Sequence, residues 1–394
     1  MTAVAGWAHG IVVIAGAGLG GLALAHGLAA ADIPVAVYER ETTANARYQG
    51  HRISLSPAGL AALRSLLPDR LFDLVTATAA QPYQGSAVYD ANLRPLKRRS
   101  LPDAGGSLSC CRHTLREILL HELADRVAFG HPVTGFRELN DGVAVDIAGD
   151  PGAVAAGLLV GADGVASAVR GQVLPDMRPA ELRWAIYGRT ALDRDIGRSI
   201  PDGVLAGFSR VLSPEGIGMS IGPFRKRRAF REAAADIAPG LTITELPDCL
   251  MWTLGGTIAQ APVGLEELRD ADAGTLHRIA REQTASWHPV LHGIVGGADV
   301  STLLAITVRA APAIDGWSAP RVTMLGDAVH VMPPGRALGA NTTFRDAALL
   351  TTTLQAVARG ADDLVTAKAG YERRMLRYSA EAVATSVAMT AGRA

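Results

Sequence analysis

Gly10-Ile11-Val12-Val13-Ile14-Ala15-Gly16-Ala17-Gly18-Leu19-Gly20-Gly21 opens a segment that closes on Val35-Ala36-Val37-Tyr38-Glu39-Arg40, and its reading decides the fold. Residues 11–14 are an unbroken apolar run, as in a strand buried on both faces. Residues 20–31 are rich in Ala and Leu and read as a helix, and residues 35–38 read as a second short strand. Together they span about thirty residues, the size of one βαβ unit. The turn between them matches G-x-G-x-x-G through Gly16, Gly18 and Gly21, with Gly20 as a further small residue. The first glycine permits a tight turn, the second lets backbone approach a pyrophosphate, and the third lets helix and strand pack closely. The helix N-terminus then offers free N–H groups and partial positive charge to phosphates. Glu39, with Arg40 beside it, stands 18 residues beyond Gly21 at the end of the second strand. A carboxylate there accepts hydrogen bonds from ribose hydroxyls and repels a 2′-phosphate. The segment therefore predicts a dinucleotide site with an exposed ribose rim, open to FAD or NAD and closed to NADP.

Composition bounds the rest. The 394 residues are 48% hydrophobic and 19% charged, enough for a sizeable core or two. Lys+Arg and Asp+Glu are both 38, so no global field draws the chain to nucleic acid or to an anionic membrane. Lys97-Arg98-Arg99 and Arg225-Lys226-Arg227-Arg228 are short runs and read as solvated faces. Residues 10–31 lack charge, but their clustered glycines and the absence of a preceding basic segment argue against a signal peptide or a membrane span. The cysteines, Cys110, Cys111 and Cys249, have no zinc-ligand spacing and fit a reducing cytoplasm.

Further along, helices are expected near 57–66, 112–124, 226–235, 274–286, 342–358 and 362–388. A hairpin is expected over 86–98, and short strands near 132–138 and 143–148 turn at Asn140-Asp141-Gly142. Leu158-Leu159-Val160 and Val322-Thr323-Met324-Leu325 return to the buried-strand pattern, and each ends in a loop bearing Gly and Asp. Between them the pattern changes to a separate sheet. The fold class is therefore α/β, a Rossmann-like nucleotide domain with an inserted β-sheet domain and C-terminal helices. The expected division is 1–78, 100–180 and 309–394 for the nucleotide domain, and 79–99 with 181–308 for the substrate domain.

Two of these loops carry a resemblance. Gly161-Ala162-Asp163-Gly164-Val165-Ala166-Ser167-Ala168-Val169-Arg170 resembles the DG motif of the class A flavoprotein monooxygenases, the para-hydroxybenzoate hydroxylase-like family. Gly326-Asp327-Ala328-Val329-His330-Val331-Met332-Pro333, continued by Leu338-Gly339-Ala340-Asn341 through Asp346-Ala347, resembles the same family's GD motif. Arg112, in Arg112-His113-Thr114-Leu115-Arg116, is similar to a family arginine that contacts flavin. The resemblance implies FAD rather than NAD, with Asp163, Gly164, Asp327, Pro333, Gly339, Ala340 and Asn341 joining the glycine turn in the cofactor site. One departure stands out: Ala337 occupies a loop position where the family usually carries glycine.

The resemblance also implies a reaction. NAD(P)H, bound transiently, reduces FAD; O2 forms a C4a-hydroperoxide; and an electron-rich aromatic or polycyclic small molecule is hydroxylated or epoxidised, as in natural-product tailoring. A flavin oxidase or dehydrogenase on the same fold, and a non-redox FAD-containing cyclase, are the alternatives. For the substrate side, Arg52 follows the acidic strand end and is expected near the flavin edge. Tyr187 and Arg189 alternate onto one face of a strand, and Arg336 stands beside Ala337. Trp252 and Phe208 fit core or pocket equally, and His330 reads as structural. A monomer or homodimer is expected, without nucleic acid, membrane or metal.

Overall fold

The computed structural model describes residues 7, 9–44, 52–101, 105–150, 152–192, 197, 199–334 and 337–391. Its strands, in chain order, are β1 (Val12–Ala15), β2 (Val35–Glu39), β3 (Arg52–Leu55), β4 (Gly85–Asp90), β5 (Pro95–Ser100), β6 (Leu108–Cys111), β7 (Val127–Phe129), β8 (Val133–Leu139), β9 (Gly142–Ile147), β10 (Val154–Ala156), β11 (Leu158–Gly161), β12 (Ala180–Ala191), β13 (Gly207–Leu212), β14 (Gly218–Phe224), β15 (Cys249–Thr257), β16 (Leu304–Ala310) and β17 (Val322–Met324). They are covered by helices that include α1 (Leu19–Ala30), α2 (Pro57–Arg64), α3 (Arg112–Leu120), α4 (Ala168–Val173), α5 (Phe230–Ile237), α6 (Ala273–Gln283), α7 (Pro289–Gly296), α8 (Leu338–Ala358) and α9 (Leu364–Ala391).

A parallel sheet in the order β17-β11-β1-β2-β7 forms the centre. β1 is buried along its whole length, as its apolar run requires. Chain order runs outward from β1 through β2 to β7 on one side and returns through β11 and β17 on the other. The topological switch point, where ligands bind in such sheets, therefore lies at the carboxyl end of β1. α1 is apolar all round and buried from Leu19 to Leu28. Its small residues admit α8 closely: a Cβ on Gly20 would lie 2.4 Å from the Thr343 Cγ2, and one on Gly27 2.5 Å from the Thr351 Oγ1.

A second, seven-stranded sheet runs β16-β12-β15-β14-β13-β4-β5, antiparallel except for the β13–β4 pair. The hairpin β4–β5 thus joins strands that follow it by a hundred residues or more. One face buries Trp184, Ile186, Val211, Ile221, Trp252 and Leu254 beneath α6 and α7, making a separate apolar core. Trp252 belongs to this core, and its Nε1 donates to Thr190 Oγ1 at 3.0 Å. Two smaller sheets, β10-β9-β8 and β3-β6, complete the structure.

Element ends differ from the sequence reading where side chains capture backbone. α5 begins at Phe230 instead of 226, because Lys226 N donates to Asp248 Oδ1 and Arg231 N to Glu245 Oε2. The helix expected from 112 to 124 ends at Leu120, where extended backbone at His121 and a left-handed Glu122 break it. No described helix is long and apolar enough to cross a membrane.

Candidate functional site

A cavity of about 580 Å³ opens at the switch point. Four parallel strands deliver their carboxyl ends to it: Ala15 and Gly16 at the end of β1, Tyr38 and Glu39 of β2, Ala162 to Gly164 after β11, and Leu325 to Asp327 after β17. Of the residues the sequence singled out, Gly16, Gly18, Gly20, Glu39, Arg40, Arg52, Arg112, Asp163, Gly164, Asp327, Pro333, Gly339 and Ala340 line it.

Each turn has a physical cause. Gly16 adopts φ +102°, and a Cβ there would lie 2.6 Å from the Ala162 carbonyl oxygen. Gly18 is different: the nearest atom to a Cβ would be Ala162 O at 3.9 Å, so the glycine leaves open cradle on the cavity side. Gly164 has φ +76° and nothing within 4 Å of a Cβ. Asp163 Oδ2 accepts from Ala168 N at 2.8 Å, while its buried Oδ1 has no hydrogen-bond partner. Burial raises the Asp163 pKa against the pull of Ser167 and the nearby amides. Asp327 is exposed to the cavity yet deep within the protein. That depth raises its pKa, with the His330 and Arg112 charges acting in the opposite direction.

Glu39 departs from the expected exposed rim. It is 7% exposed, because its Oε2 accepts from Ala17 N at 2.6 Å and its Oε1 from Glu41 N at 3.0 Å. The carboxylate clamps the glycine turn as well as facing the cavity. Arg116 lines the cavity and was not singled out. Its Nε donates to Ala17 O at 2.9 Å, and its Nη1 donates to Ala44 O. It sits one helical turn beyond Arg112, a spacing that puts both on one face of α3.

Four of the residues singled out fall elsewhere. Gly21 is a packing residue, since a Cβ there would lie 2.1 Å from Gly16 O. Asn341 is a strap: its Oδ1 accepts from Ser56 N at 2.8 Å and its Nδ2 donates to Ser54 O at 2.9 Å. Tyr187 lines a second cavity of about 110 Å³ with Arg183, Arg210, Ser220 and Thr253, on the sheet face opposite the Trp252 core. Arg189 lines neither cavity and pairs with Asp299 at 2.7 Å. Arg336 lies outside the described residues. Pro334 lines both cavities, so the two adjoin. Arg52, in the first cavity's lining, holds its guanidinium 4.7 Å from the Tyr83 ring centre and 5.6 Å from that of Phe208.

Ala337 caps α8 in the left-handed region, at φ 54° and ψ 35°. A Cβ is strained there by about 1 kcal/mol, which explains why glycine suits the position. Ala337→Gly is expected to stabilise the protein by about 0.5 kcal/mol, the strain relief less the extra freedom of an unfolded glycine. A thermal midpoint that fails to rise contradicts this.

The lining fits FAD. The cradle at Gly18 and Gly164 admits phosphate and ribityl atoms close to backbone, the unpartnered Asp163 oxygen lacks a donor such as a hydroxyl, and Arg52, Arg112 and Arg116 supply cations for anionic groups.

Comparison with known proteins agrees. A family described as FAD binding domain matches residues 11–230 and 272–389. A dual O-methyltransferase/FAD-dependent monooxygenase of Phaeosphaeria nodorum is 29% identical over 374 residues, covering 86% of this chain and 39% of that protein. The chain thus spans about two fifths of the length of that curated relative. An aurachin C monooxygenase/isomerase of Stigmatella aurantiaca is 28% identical over 350 residues, covering 87% of this chain and 80% of that one. In structure, a proposed FAD-containing monooxygenase of Photorhabdus luminescens superimposes with a TM-score of 0.80 at 28% identity, covering 97% of both chains. With the family match spanning both ends of the chain, the protein belongs to the FAD-binding-domain family of the class A flavoprotein monooxygenases.

Proposed function

We propose that this chain is an FAD-dependent monooxygenase that uses NAD(P)H and O2 to hydroxylate or epoxidise an electron-rich aromatic or polycyclic small molecule. The observation that carries this reading is the adjacency of the two cavities through Pro334. One is built for a dinucleotide, and the other is a small chamber floored by Tyr187 on the second sheet. The glycine turn, Glu39, Arg112, Asp163 and Asp327 would hold FAD, which when bound would supply the redox chemistry that side chains lack.

The protein's own part is binding, orientation and exclusion of water. Met332, Pro333 and Pro334 wall the junction without adding charge. Burial pushes the Tyr187 phenol up to about 12, with a hydrogen bond from Thr253 pulling the other way. At neutral pH Tyr187 is therefore a neutral hydrogen-bond donor that orients substrate, and it does not serve as a base. The cysteines Cys110, Cys111 and Cys249 are free and buried, which fits a cytoplasmic enzyme. The monooxygenase names of the relatives support the reaction class, and the aurachin C relative supports a setting in natural-product tailoring.

The test is oxygen incorporation. FAD-loaded protein supplied with NADPH or NADH under ¹⁸O2 is expected to place one labelled oxygen atom in an aromatic product. Peroxide with no labelled product would make it an oxidase. Product formed with a redox-dead flavin would make it a cyclase.

A further inference from the structure

Arg52 opens β3 and lines the first cavity, yet its guanidinium leans on the second sheet, over the rings of Tyr83 and Phe208. Among the described residues its one hydrogen bond runs from Nη1 to Ser109 Oγ at 3.2 Å, and no carboxylate pairs with it. Arg189 shows the contrast, with Asp299 at 2.7 Å. The two rings attract the cation without neutralising it. A guanidinium carries five N–H donors in a fixed fork, so most of those on Arg52 are left for a ligand. Beside it the Tyr83 hydroxyl is buried and has no hydrogen-bond partner. The two groups converge on Gly222, where a Cβ would lie 2.4 Å from that hydroxyl and 3.4 Å from Arg52 Nε.

The sheet register ties this cation to the second cavity. Arg210, Ser220, Thr253 and Tyr187 pair in succession across β13, β14, β15 and β12, which makes them one row on the face away from the Trp252 core. Gly222, Met251 and Arg189 form the next row, two residues along. Phe208 likewise stands two residues before Arg210 on β13 and faces the same way. Rows on one face are about 7 Å apart. Arg52, over Phe208 and beside Gly222, is therefore one row from the side chains that floor the second cavity. Arg183 and Arg210 line that cavity with Tyr187, Ser220 and Thr253, and no described acidic residue joins them. Guanidinium and hydroxyl groups without carboxylates make a chamber complementary to negative charge.

We propose that Arg52 is a specificity residue of the substrate chamber: with Arg210 one row away, it binds an anionic oxygen of the substrate, a carboxylate or an ionised hydroxyl on the aromatic system. This rests on the monooxygenase reading of the adjoining cavities and narrows it to acidic aromatic substrates. Position sets Arg52 apart from Arg116, which is tied to the glycine turn through Ala17 O while Arg52 is tied to the second sheet. The anion is held from two sides, by a cation on β3 and another on β13, so a bound acid also fastens the second sheet to the first cavity. A nicotinamide dinucleotide carries anionic oxygens in its phosphates, and the test separates that source from the substrate.

The experiment titrates FAD-loaded enzyme with matched probes and reads the perturbation of flavin absorbance: benzoate against benzamide, and 2-naphthoate against 2-naphthamide. At least one carboxylate is expected to bind about tenfold more tightly than its amide, as a charge-assisted hydrogen bond implies. That preference is expected to fall to about twofold in Arg52→Gln and to weaken in Arg210→Gln, since glutamine keeps a donor but no charge. Equal affinities within both pairs, no binding by either carboxylate, or a full preference retained in both variants would overturn the proposal. Should Arg52→Gln fail to hold FAD, Arg210→Gln decides alone, because Arg210 does not line the FAD cavity. Weakened NADH or NADPH binding in Arg52→Gln, with the carboxylate preference intact, would assign the cation to the nicotinamide phosphates and overturn the proposal as well. A wild type that takes up no FAD would instead defeat the reading of the first cavity, an outcome distinct from a lost charge preference.

Discussion

Asp327→Ala is expected to lower FAD affinity by about 100-fold, because a hydrogen bond to a charged group in a recessed site contributes roughly 1.5–3 kcal/mol and this carboxylate can accept from more than one hydroxyl. The side chain is exposed to the cavity, so truncation leaves no packing hole, and the fold should survive. Fluorescence titration of FAD into the folded variant measures the effect. Affinity within a few-fold of the wild type would remove Asp327 from the site.

Gly21→Ala is expected to be among the most damaging single methyls in the chain's first forty residues. The new Cβ would lie 2.1 Å from the Gly16 carbonyl oxygen and 3.2 Å from Ile14 Cγ2. Both neighbours are parts of the strand and turn that α1 must hug, and the nearer is backbone, so the helix has to move off the sheet. Overpacking of this kind costs about 3 kcal/mol, and it would displace the Gly16–Gly18 turn that faces the cavity. A fall in thermal midpoint together with a loss of FAD affinity is expected. Gly27→Ala serves as the control on the same helix. Its Cβ would meet Thr351 Oγ1 at 2.5 Å and Leu66 Cδ2 at 2.6 Å, both ends of side chains that can rotate away. Equal damage from the two variants would contradict the backbone argument.

What could be read from the sequence was whatever depends on backbone chemistry. Gly16 and Gly18, and the loops of Asp163 and Asp327, have meaning because strand ends and left-handed turns restrict which residues fit. That meaning is written locally. Ala337 was legible for the same reason, as an alanine in a place suited to glycine. Arg116 could have been found from its spacing to Arg112. Most of the other misses are matters of partnership across distant sequence. Alternation put Tyr187 and Arg189 on one face, but it could not say that Asp299, 110 residues on, would claim Arg189. Glu39 looked exposed because nothing in its own strand shows that two amides fold back onto its oxygens. His330 was read as structural from its position in a loop. Its bond to Asp346 and the further bond from Tyr378 join three elements, and no local pattern encodes such a meeting. Asn341 looked like a cofactor contact because it sits in the GD continuation, yet its amide straps α8 to the Ser54–Ser56 backbone.

The central claim is that the cavity at the carboxyl ends of β1, β2, β11 and β17 is an FAD site. Equilibrium titration of flavin-free protein with FAD tests it most directly. Saturable binding of one FAD per chain is expected, weakened about 100-fold in Asp327→Ala and retained in Ala337→Gly. A folded protein that stays colourless in excess FAD, or that binds FAD equally well with and without the Asp327 carboxylate, would contradict it.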